Sequence, residues 1–178
     1  MDIVIALSQG AGLAVACGLA ALLPLGVLAT AALLGWLPGS VAIASETPFL
    51  VVAWALGLLE SGLRALLPAP LRIAVSSAGG AAACELTTGH VLPWVGLVIG
   101  ALIGAGAAWT STRLADRAIA GGGTRWGVTA LMGGAAVAVA AASLVPFVGF
   151  LLVIGVTWAG IRSRRGDDKR YAGLRVLR

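Results

Sequence analysis

The chain has 178 residues, of which 60% are apolar, 11% are charged and 26 are glycine, with a net charge of +5. A soluble domain carries about 25% charged residues, so this composition excludes a protein that covers itself with a water-facing shell. The basic residues sit beside apolar runs rather than in a separate basic domain, which excludes nucleic-acid docking and makes anionic lipid head groups the expected counter-charge.

Seven apolar stretches follow one another, at 3–22, 25–38, 48–66, 73–89, 91–112, 126–144 and 147–161. In hydrocarbon, only helices or closed barrels satisfy every backbone donor and acceptor internally. The expected fold is all-α: a polytopic transmembrane helix bundle of about six or seven segments, some short or proline-broken. Residues 1–161 form the expected membrane domain and 162–178 a basic cytoplasmic tail.

The start, Met1-Asp2-Ile3, lacks the positive region of a cleaved signal peptide, so the first stretch reads as part of the mature protein. It carries a small-residue face (Gly10, Ala14, Gly18) and runs through Pro24 into the second stretch with no polar loop between. A continuous helix of about 35 residues would be about 50 Å long, far more than a bilayer core. Proline removes a backbone donor and clashes with the preceding turn, so a kink, break or reversal is expected at Pro24, and again at Pro146 before the last stretch.

The third stretch contains Glu60 and Arg64, spaced i,i+4 with the acid first, the favourable order for a helical pair. An intramembrane ionisable residue is by default a functional candidate. The alternatives are a structural ion pair, favoured because the partner is present, and a proton or solute relay. The fourth stretch is the most polar (Ser76-Ser77, Gly79-Gly80, Glu85, Thr87-Thr88) and suits a helix buried among others. Glu85, Thr87, Thr88 and His90 read as a satisfied polar cluster, since zinc would require three or four ligands.

The fifth stretch carries the sharpest packing motif, Gly96-x-x-x-Gly100-x-x-x-Gly104, continuing to Ala108. Four-residue spacing lines small residues along one helix side and lets a second backbone approach closely, as an interhelical or homomeric contact face; the alternative is a pore-lining face. A charged loop with Arg113, Arg117 and Arg125 is expected to follow. Trp36, Trp94, Trp109, Trp126 and Trp158 stand near stretch ends, as interface anchors do, and Trp54 lies deeper. If every stretch crosses or reverses, all twelve basic residues, including Arg162, Arg164 and Arg165, fall on one side. The positive-inside rule then makes the C-terminus cytoplasmic, with the arginines near Arg113, Arg117 and Arg162 meeting lipid head groups. Cys17 and Cys84 lie inside apolar stretches and read as small hydrophobes.

The order of these features resembles an uncharacterised bacterial membrane family, the domain-of-unknown-function family numbered four-one-two-six. The shared elements are Gly18-Leu19-x-x-Leu22-Leu23-Pro24-Leu25, a helix ending in Glu60, Arg72 before Ala78-Gly79-Gly80, Thr110-x-x-Arg113-x-x-x-Arg117, and a proline-broken last unit ending in Arg162 and Arg164-Arg165. The chain departs from the family pattern at Ala20, ahead of Pro68, at Thr110 and at Met132-Gly133, where members carry ionisable groups. The resemblance implies a multi-pass protein of the bacterial inner membrane and supplies no chemistry. Without clustered His, Asp or Glu, neither an enzyme nor a cofactor or metal site is expected. The expected function is transport- or channel-like, for a lipid or small solute; the alternative is a structural or accessory subunit of a larger membrane complex. Membrane lipids and either further copies of the chain or a protein partner are the expected associates.

Overall fold

The computed structural model describes residues 2–37, 42–89 and 94–171. Among them are seven α-helices and no strand: α1 Asp2–Leu19, α2 Leu23–Leu33, α3 Thr47–Leu63, α4 Ala69–Thr88, α5 Val95–Ala120, α6 Arg125–Ser143 and α7 Val148–Tyr171, with a single 3₁₀ turn at Ala42–Ser45. Prolines stand in the first turn of α2, α3 and α4, where the missing N–H has no helical acceptor to lose. α5 ends at the triplet Gly121-Gly122-Gly123, with Gly122 at φ 100°, and Thr124 caps α6 by accepting the Gly127 N–H at 3.1 Å.

Successive helices alternate in direction. Ser76, Gly80 and Cys84 of α4 face Gly104, Gly100 and Gly96 of α5, so these two are antiparallel. α1 runs with α5, since Gly10 meets Cys84 and Thr87 while Gly18 meets Ala107 and Ala108. α2 turns back along α3, with Leu23 against Gly57 and Gly26 against Trp54. Gly149 then sits on Ser8 and Gly12 while Gly160 reaches Thr110, which makes α7 parallel to α1 and α5. The Pro24 and Pro146 units therefore both reverse the chain.

α1 is the central helix, packed against α4, α5, α6 and α7, and every residue from Ser8 to Gly18 is buried. Alanine, glycine, serine and cysteine fill this centre (Ala14, Ala16, Cys17, Ala83, Cys84, Ala108, Ala140), so backbones approach closely and dispersion contacts replace large interlocking side chains. The outside is apolar as well: Leu58, Leu59, Leu102, Leu131, Leu151, Ile154 and Trp158 are each more than half exposed. α5 and α6 are long and apolar enough to cross a membrane.

Two sequence expectations change. Arg113 and Arg117 lie on the helix of α5 and Arg125 opens α6, so the charged loop shrinks to Gly121–Thr124. Arginine, leucine and alanine favour helix, and the fall in hydropathy after Thr112 marks the end of an apolar run rather than of the helix. The division at 161/162 also falls inside α7, which continues to Tyr171 and carries Arg164 and Arg165 on its backbone. His90 and residues 172–178 lie outside the described residues.

Candidate functional site

The most polar buried site is the break between α1 and α2. A helix end leaves its last carbonyls and first N–H groups without helical partners, and at Ala20–Leu22 both kinds occur within a few residues, enclosed by other helices. Glu60 and Arg64, at the end of α3, meet this need. Arg64 Nη1 donates to Glu60 Oε1 at 2.8 Å, with both side chains 7% exposed. Arg64 Nη2 donates to the Gly18 carbonyl at 3.1 Å. Ser111 of α5 donates to the same carbonyl at 2.7 Å, and the Ala21 N–H donates to Glu60 Oε2 at 3.0 Å. The acid thus takes an orphan donor, while the cation and the hydroxyl take an orphan acceptor of the α1 terminus. A cation at a helix C-terminus is also favoured by the helix dipole. The pair belongs to one connected network that holds two helix ends and a third helix together.

Two of the other reversals use smaller versions of the same device. Gln9 Nε2 donates to the Leu144 carbonyl at 2.7 Å, at the α6 end. The Glu85 carboxylate accepts from the N–H groups of Trp94 (3.3 Å) and Leu97 (3.2 Å), at the start of α5. Trp94 and Phe147 take left-handed backbone angles at these two turns, φ 71° and 68°. Replacing Gln9 with leucine is expected to strand the Leu144 carbonyl and lower stability by about 1–3 kcal/mol, read as a fall in Tm of the detergent-solubilised protein. An unchanged Tm would show that the carbonyl finds another donor.

Two cavities that share lining residues lie between the α1–α2 break and the Arg72 and Arg125 side chains. An outer recess of about 380 Å³ is closed by the α3–α4 turn, Arg72, Asp116, Arg125 and Thr129. Arg72, Ala115, Val128 and Thr129 also line an inner crevice of about 20 Å³, which reaches Arg64, Ser111 and Thr112. In the lining of the inner crevice, Arg72 Nε and Thr112 Oγ1 are buried with no hydrogen-bond partner among the described residues. A volume of that size holds about one water, and such a water would find donors and acceptors on several sides.

The Gly96-Gly100-Gly104 stripe is filled from within the chain. Carbon atoms added at Gly96 and Gly100 would collide with Thr88 and with the Gly80 carbonyl, and at Gly104 one would lie 2.6 Å from the Ser76 carbonyl oxygen. Ala108 closes on α1 at Gly18. These contacts all lie within one chain, between α5 and its neighbours α4 and α1. The stripe's counterpart on α4 is Ser76-Gly80-Cys84-Thr88, a four-residue series that hydropathy reading passed over, although its spacing was visible. Gln9, Ser111 and Thr112 were also missed, because nothing local distinguishes them, and Arg72 was marked only by its place before Ala78-Gly79-Gly80. Trp54, placed deep by its position, donates its indole N–H to Thr30 Oγ1 at 3.1 Å.

No group of three or more His, Cys, Asp or Glu that could hold a metal ion occurs among the described residues. No known protein family, curated protein or solved structure matches this chain.

Proposed function

We infer that this is a small polytopic protein of a bacterial inner membrane that passes a small solute or lipid by a transport- or channel-like mechanism, without enzymatic chemistry. The observation that carries the reading is the pair of adjoining cavities lined by Arg72, the inner of which reaches Arg64 of the Glu60–Arg64 pair at the α1–α2 break. Discontinuous helices with half-helix ends facing a site near the bilayer midplane are how many transporters bind their cargo. Buried ionisable residues in such surroundings mark pathways. The exposed apolar side chains of α3, α5 and α7 suit a lipid surround. Arg72, Arg125 and the Arg113 and Arg162 ends of α5 and α7 then face the cytoplasm, by the positive-inside rule. Kinship with the four-one-two-six family is part of the same proposal.

Full-length protein in liposomes is expected to raise the flux of iodide or glycerol above that of protein-free vesicles. Arg72→Met should lower that flux by about tenfold, equivalent to roughly 1.4 kcal/mol lost along the path, with Tm unchanged. Folded protein without flux would defeat the reading. It would favour an accessory subunit of a larger membrane assembly, a role consistent with the narrowness of the crevice and with the apolar run Val51, Val52, Leu56, Leu59 and Leu63 exposed on α3.

A further inference from the structure

We propose that the inner crevice beside the α1–α2 break binds one small monoanion, a halide of chloride size or smaller, through the Arg72 Nε–H and the Thr112 hydroxyl. The inference deepens the transport reading, on whose cavities it rests, by naming the ligand class, and it requires binding rather than passage. Both groups line the crevice and are buried without a hydrogen-bond partner among the described residues, and Thr112 as a whole is 8% exposed. A buried donor left unmade is unfavourable, so this pair suits a ligand that accepts from both. Helical threonines ordinarily turn their hydroxyl back on their own helix. Thr30, Thr88, Thr110 and Thr157 each donate to the carbonyl four residues earlier. For Thr112 that acceptor would be the Ala108 carbonyl, which lies 3.0 Å from the Ser111 hydroxyl, and Thr112 makes no such bond.

Charge decides what that ligand is. Arg64 and Arg72 line the crevice and no carboxylate does. Arg64 is committed, with Nη1 on Glu60 and Nη2 on the Gly18 carbonyl, and Ser111 is committed to the same carbonyl. Arg72 stands in the first turn of α4, the end at which the helix dipole disfavours a cation. The adjoining recess adds Arg125 and one acid, Asp116, to Arg72, so cations outnumber acids in both linings. A partly buried guanidinium in such surroundings calls for a negative partner. Water would fill the space and leave that charge unmatched. Size narrows the choice further. About 20 Å³ is room for one water-sized centre, which admits a monatomic ion and excludes sulfate, phosphate and carboxylates.

The test is isothermal titration calorimetry of the full-length protein in non-ionic detergent, with fluoride or chloride replacing gluconate at constant ionic strength. One halide is expected to bind per chain, saturably. Thr112→Val should weaken that binding about tenfold, the loss of one hydrogen bond to a charged acceptor, and Arg72→Gln should abolish it. Excess sulfate, too large for the crevice, should leave halide binding unchanged. Binding of neither halide, a Thr112→Val protein that binds as wild type does, or displacement of the halide by sulfate would overturn the site. Thr112→Val breaks no hydrogen bond among the described residues, so that arm decides the matter even if Arg72→Gln folds poorly. Vesicle flux on the same preparation separates the two readings. Halide binding without flux defeats transport alone, and glycerol flux without halide binding defeats the anion site alone.

Discussion

Replacing Arg64 with alanine is expected to destabilise the protein by about 3–5 kcal/mol, the usual result of removing one member of a buried ion pair. The Glu60 carboxylate would be left 7% exposed without its cation, and the Gly18 carbonyl would keep only Ser111. For a chain of 178 residues the corresponding fall in Tm is roughly 10 °C. The double variant Glu60→Met with Arg64→Met should recover part of the loss, since no lone buried charge remains. It should not recover all of it, because the Ala21 N–H then has no acceptor. A thermodynamic cycle over the four proteins isolates the coupling. An Arg64→Ala protein with wild-type Tm would mean that the helix break is held by something else. Glu60→Gln separates the two roles of the pair: a relay would lose flux with folding intact, whereas a structural tie would lose yield and Tm together.

The second large effect is a contrast of sign within one helix. Gly100→Ala places a methyl group against the Gly80 carbonyl and 2.6 Å from the Cys84 side chain, both fixed on the facing helix. Overpacking of this kind costs about 1–3 kcal/mol, more than the roughly 1 kcal/mol by which alanine improves on glycine in a helix. Gly106→Ala, on the same helix, meets nothing within 4 Å and should show only the gain. Opposite shifts in Tm for the two variants are therefore expected. Shifts of the same sign would show that α4 and α5 separate freely, and the close approach would lose its meaning.

The number and order of helices were legible because the contrast between apolar runs and charges is local and strong. Pro24 and Pro146 announced discontinuities, but the break before α2 falls at Ala20–Leu22, ahead of Pro24, which is comfortable in the first helical turn. The Glu60–Arg64 spacing gave the pair, because an i,i+4 contact depends only on the helix. Its purpose was hidden, since its other partners are Ala21, 39 residues from Glu60, and Gly18, 46 residues from Arg64, with Ser111 a further 93 residues from Gly18. Only tertiary packing brings those groups together.

The Gln9 contact with Leu144 spans 135 residues, and α1 is also the helix around which the later ones assemble. During synthesis the core element leaves the ribosome first and its lateral neighbours α6 and α7 last. Until they arrive, Gln9 and the closely packed face at Ser8 and Gly12 have no partners, a contact order that slows folding. The nascent chain must therefore persist as an incomplete bundle, exposed to chaperones and proteases. Defects introduced near the C-terminal helices should accordingly show up as loss of the N-terminal one.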